Sequence, residues 1–216
     1  MADMNKLLGQ LIGSGVASGF AGGLAGGVAG SMLTGKKGRK LGKKALKLGG
    51  VAAVGALAYT AYQRYSSKDA TPTTQTDLTP APPGTPFMPE KNDIAANEAL
   101  GLTLVRAMIA AARTDGRLDA QESQSIFQKI QSLGLDNESQ AMLVEEMSHP
   151  VDMDAIVNSA TCPEIATEIY TASLLAVEVD TTAEKSYLAM LAARLRLPSE
   201  LVMELERHVE VQRAII

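Results

Sequence analysis

Six carboxylates stand out as groups able to do chemistry together. Asp115, Asp119 and Glu122 fall in one short stretch, and Glu178, Asp180 and Glu184 in another. If the two turns lie side by side, these oxygens share a small surface of the kind that holds a hard divalent cation. The first stretch has partial EF-hand spacing, with Gly116 and Glu122 in register and Leu118 at the apolar position. Ala111 and Arg113 occupy the places of the first two loop ligands, so it is not an EF-hand. An ordinary structural role competes with the cation. Asp119 with Glu122, and Thr181 with Glu184, have the spacing of capping boxes, in which side chains satisfy free N–H groups at helix starts. Gly116 suits the residue just past a helix end. Asp115, Glu178 and Asp180 then sit near helix C-termini, where the dipole disfavours anions by roughly 0.3–1 kcal/mol. Arg113 and Arg117, or a bound cation, would offset that, and both readings stay open.

Nothing else in the chain suggests catalysis, so the expectation is a protein that is not an enzyme, with no catalytic residues and no organic cofactor. His149 and His208 are isolated in sequence and expected at the surface or at helix edges. Cys162, the only cysteine, precedes Pro163 with no histidine at a telling spacing, and reads as a packed thiol at a helix start. One thiol also excludes a disulfide framework and a Cys-based zinc site. The glycine-rich N-terminus lacks the Lys-Ser/Thr ending of a phosphate loop. With no tryptophan and 4% aromatics, a base-stacking nucleic-acid surface is not expected.

The elements that position these groups read as all-α. Helical periodicity predicts seven helices, at about 92–113, 119–133, 137–148, 152–160, 163–179, 182–196 and 198–212. Tyr187, Leu188, Leu191 and Leu195 form one apolar face; Leu201, Val202, Leu205 and Val209 form another. Pro163 and Pro198 stand where first helical turns accept proline. Two segments are apolar nearly all round and read as buried central helices. Ala99–Ala112 has Thr103 and Arg106 as its larger polar side chains, and Ile165–Val177 has Glu168 as its only charge. An echo at an offset of 62 residues links Asp119-Ala-Gln-Glu122 and Leu133-Gly-Leu135 to Thr181-Thr-Ala-Glu184 and Leu195-Arg-Leu197.

Ahead of this domain the chain changes character. Residues 1–65 carry nine Lys/Arg against one Asp, whereas residues 91–216 carry ten against twenty acidic groups. Leu7 to Gly35 is a run of 29 uncharged positions, longer than the roughly 20 residues a span needs. Its glycines are ordered: Gly15, Gly19, Gly23 and Gly27 in one series, and Gly22, Gly26 and Gly30 in another. On a helix each series makes a smooth strip against which a second copy can pack, as in a homo-oligomer. Seven cations follow between Lys36 and Lys47, suited to anionic headgroups. Leu48 to Gln63 is again uncharged, with Tyr59, Tyr62 and Tyr65 at its far end, a pattern of interfacial anchoring.

The reading is therefore a Gly-rich apolar segment (1–35), a basic patch with a short transmembrane or interfacial helix (36–65), a Pro/Thr-rich linker forming an extended tether (66–90) and an acidic helical domain (91–216). The expected place is a membrane, crossed once or as a hairpin. The positive-inside rule leans toward a C-terminal domain on the external side. The expected partners are the lipid membrane and a protein.

Ala112-Arg-Thr-Asp115-Gly116-Arg-Leu118-Asp119-Ala-Gln-Glu122, with Glu178-Val-Asp180 and Glu184, resembles the TerB-like fold of tellurite-resistance proteins. That resemblance implies a helical bundle and, again, a divalent cation at the acidic turns. The order of Gly35-Lys-Lys-Gly-Arg-Lys, Gly49-Gly-Val-Ala-Ala-Val-Gly-Ala-Leu-Ala-Tyr59 and a TerB-like domain resembles the YebE-like family of bacterial inner-membrane proteins. This implies a location and a fold but no activity. Two functions follow as expectations: a membrane-anchored, non-enzymatic interaction module, in envelope or metal stress, or a divalent-metal sensor.

Overall fold

A computed structural model of the chain describes residues 50–67, 79–90, 92–114, 137–177 and 179–215. Among them are seven helices and no strand: α1 (Gly50–Ser66), α2 (Ile94–Ala112), α3 (Asn137–Ser148), α4 (Met153–Asn158), α5 (Pro163–Ala176), α6 (Thr182–Arg194) and α7 (Ser199–Ile215). Six of the seven expected ranges correspond to helices α2–α7, that of 163–179 ending at Ala176; 119–133 lies outside the described residues. The all-α class is therefore that of the structure.

Local chemistry sets the helix ends. Asp93 accepts from the Ala96 N–H at 3.0 Å at the start of α2, and Asp152 accepts from the Ala155 N–H at 2.9 Å at the start of α4. Pro163 opens α5 at its first turn. Pro198 stands one residue ahead of α7, its carbonyl accepting from the Val202 N–H. At the end of α6 the Leu197 N–H reaches the Ala192 carbonyl and the Arg196 N–H reaches the Ala193 carbonyl. These two bonds make a Schellman motif, with Arg196 at the left-handed position, φ 56°. A residue with a Cβ is strained there. Arg196→Gly should therefore raise stability by about 0.5–1 kcal/mol, measured by denaturant unfolding; an unchanged midpoint would argue against strain at this position.

The core is built around α5. It packs against α1, α2, α6 and α7, and Leu104, Ile169, Leu191 and Leu205 lie at its centre. The two helices read as apolar all round, α2 and α5, are the central ones. Among the described residues α2 is the one helix long and apolar enough to cross a membrane by length and composition, and half of its most apolar window is buried within the bundle. A core helix passes the same test.

Three observations differ from the sequence expectations. The run read as a short transmembrane or interfacial helix is α1, and Val51, Val54, Leu57, Ala58 and Ala61 are buried in the protein. Small residues let it seat closely on α5 and α7. The segment read as a tether also folds back in part: residues 79–90 form a strap over α1. Phe87, 3% exposed, packs edge-on against Tyr59 and Tyr62 with ring centroids 5.6 and 5.5 Å away. Gly84, at φ 79°, turns the strap, its N–H bonded to the Met88 carbonyl. One buried aromatic ring is enough to tie down a stretch whose composition otherwise favours an extended chain. Finally, His208 is 7% exposed rather than at the surface, its Nδ1 2.9 Å from the Glu204 carbonyl. Burial holds its pKa below the usual histidine value, partly opposed by Glu204.

Candidate functional site

The acidic turns come first. Asp115, Asp119, Glu122 and Glu178 lie outside the described residues. Asp180 is exposed just ahead of α6. Glu184 is 4% exposed and forms the capping box the spacing suggested. Its Oε2 accepts from the Thr181 N–H at 3.0 Å and from the Thr181 hydroxyl at 2.9 Å, while Thr181 Oγ1 accepts from the Glu184 N–H. One oxygen of this carboxylate is thus committed to starting α6. Beside it Val179 takes φ 59°, a conformation that a β-branched residue rarely adopts. Among the described residues no three His, Cys, Asp or Glu side chains gather as a cation site would need.

A different place is shaped to receive something. A cleft of about 330 Å³ opens between α2, the end of α3, the loop 149–152 and α4. Its polar lining includes Arg106, Arg113, Glu146, His149, Asp152 and Ser159. Ile109, Ile156 and Val151 supply apolar wall. Arg106 and Glu146 are joined fork to fork, Nε to Oε2 at 2.7 Å and Nη2 to Oε1 at 2.8 Å. The Arg106 guanidinium holds the Glu146 carboxyl below its usual range, against the opposing effect of partial burial. Both ends of the bridge reach solvent, so it fixes the geometry of the wall more than it stabilises the fold.

Arg113 does a second job. It follows the last residue of α2, and its Nη1 donates to the Met147 and His149 carbonyls at 3.2 and 2.8 Å. A cation thereby covers free carbonyls at the end of α3, where the helix dipole favours positive charge. Its Nε is buried and has no acceptor among the described residues. The Ser159 hydroxyl is spent on the Ile156 carbonyl at 2.6 Å. Chemically the cleft presents guanidinium N–H groups beside apolar side chains, a combination that holds a carboxylate attached to an apolar body.

The second unusual group lies in the core. Glu168, midway along α5, is fully buried, and neither carboxylate oxygen has a hydrogen-bond partner. Burial alone raises its pKa well above the usual carboxylate range. Gly55 of α1 sits directly over it: a methyl built there would come within 3.0 Å of Glu168 Oε1 and overlap the Phe87 carbonyl oxygen.

Neither Arg106 nor Glu168 was a candidate from spacing. Each did leave a signal, as the one charge within the apolar stretches Ala99–Ala112 and Ile165–Val177.

The sequence pattern of the family described as "Protein of unknown function (DUF533)" matches residues 18–209. The chain belongs to the DUF533 family. The match spans the second half of the glycine-rich segment together with the helical bundle. A protein of Yersinia enterocolitica described as "Uncharacterized protein in ampR 5'region" is similar to this DUF533 chain, 25% identical over 113 residues that cover 52% of this chain and 81% of the relative. No solved structure matches.

Proposed function

We propose that this DUF533 protein is a membrane-anchored, non-enzymatic interaction module of the bacterial inner membrane, with a bundle of TerB-like type and the layout of YebE-like proteins. The observation that carries the interaction reading is the cleft between α2, α3 and α4. Arg113 lines it, its guanidinium fixed in place by the Met147 and His149 carbonyls, and the Arg106–Glu146 pair makes a fixed polar wall. The occupant this chemistry suits is a protein segment bearing a carboxylate next to an apolar side chain. Support for anchoring comes from the sequence of Leu7–Gly35 and the cations that follow it. With α1 seated in the bundle, the long glycine-rich run is the segment left to hold the lipid.

The test uses the full chain in inner-membrane vesicles, with a photocrosslinking residue at Thr103 in the cleft or at exposed Met203 on α7. The expected result is a discrete crosslinked product from Thr103, absent from Met203 and lost with Arg113→Ala. Equal products from both positions would count against the cleft. Release of the intact protein by a carbonate wash would count against the anchor.

A further inference from the structure

We propose that α1 is a proton-held latch: it docks on the bundle with Glu168 neutral, and exposing that carboxyl to water, where it ionises, drives α1 and the 79–90 strap off. Three features of the geometry converge on this. Glu168 lies in the middle of the central helix with both oxygens unpartnered. The backbone of α1 closes over it at Gly55, the residue without a side chain to intervene. The strap completes the lid, its Phe87 carbonyl meeting the same point of α1. Water therefore reaches Glu168 when α1 lifts.

No nearby charge supplies an alternative. The ionisable groups on the elements around α5 are Tyr59, Tyr62, Arg64 and Tyr65 of α1, Glu90 of the strap, Glu98 and Arg106 of α2, Glu184, Lys185, Tyr187 and Arg194 of α6, and Glu200, Glu204, Glu206, Arg207, His208 and Glu210 of α7. On α5 itself stand Glu164 and Tyr170. Arg64 faces Glu204 at 3.9 Å, Arg106 is held by Glu146, and Tyr170 donates to Glu206 at 3.0 Å. None of them contributes to the shift at Glu168, for which burial is the whole cause.

The direction follows from linkage. Docking takes up one proton and undocking returns it. The docked carboxyl has the raised pKa, so the latch is tightest below the free carboxyl's range, about pH 4.3. It weakens about tenfold per pH unit above that, until the docked group's own pKa is reached.

Hydrogen exchange on the full chain, compared with Glu168→Gln at each pH so that intrinsic exchange cancels, reads the latch directly. Glutamine keeps the shape of the neutral acid and cannot ionise. The expected result is that protection of residues 50–66, as the ratio of wild type to Glu168→Gln, falls by up to about tenfold per unit as pH rises above the free carboxyl's range, while 199–215 keeps its ratio. A ratio for 50–66 that stays flat, or a parallel loss over 199–215, overturns the latch. Cys162 lies close enough to Tyr62 of α1 for the two to interact, and its thiol labelling gives a second readout. Labelling should be faster in wild type than in Glu168→Gln or, if glutamine does not fold, Glu168→Met, with the gap widening as pH rises; equal rates throughout overturn it. The latch stands without the membrane reading, since it is argued from α1, α5 and the strap alone.

Discussion

Phe87→Ala is expected to cost about 3–4 kcal/mol in the stability of the strap and α1. The ring is almost fully buried and is held edge-on by Tyr59 and Tyr62, so truncation removes both its apolar burial and two aromatic contacts. Little nearby can close the gap. Ala81, the other buried residue of this cluster within the strap, is too small, and Met88 is only partly buried. The loss should be local first: amides of 79–90 and 50–66 exchange earlier than those of α2 and α5. Exchange changing evenly across the whole bundle would show that the strap is not a separate unit.

Gly55→Ala is the second large effect, and it runs against helix propensity. In an open helix this change gains up to about 1 kcal/mol. Here the added methyl overlaps a backbone oxygen, which cannot rotate away as a side chain could. Either the strap or α1 must shift, and overpacking of this kind costs about 1–3 kcal/mol. The net expectation is a destabilisation of about 1–2 kcal/mol, read as a lower midpoint in denaturant. A gain in stability would mean that α1 is not seated at this depth. Gly55→Ala combined with Phe87→Ala should cost less than the sum, because both changes act on one contact.

How far the sequence reaches can be judged from particular residues. The helices were legible because their apolar residues recur at helical spacing and their ends carry strong signals, such as Thr181 with Glu184 and Pro163. The burial of α2 and α5 was legible from apolar character on every face. The position of α1 was not. A short, alanine-rich helix with no charge before its last turn satisfies a bilayer and a protein interior equally well, since both exclude water and neither asks for a polar face. The strap was hidden for a related reason: five prolines dominate its composition, while its placement rests on one aromatic ring. The cleft was missed because its parts are distant in the chain, with Arg106 and Glu146 forty residues apart. The acidic turns were the most visible feature of the sequence. Of their described members, Glu184 is bound to the start of its own helix and Asp180 faces solvent.

That α1 belongs to the core changes what the proline-rich stretch separates. Cleavage between residues 67 and 79 would yield not an independent domain and a spent anchor but two complementary fragments. The larger would carry an open trough along α5 and α7 with an acid at its floor, and the smaller would carry the 17-residue helix shaped to refill it. A protease acting there would convert a covalent attachment into a reversible, acidity-dependent affinity.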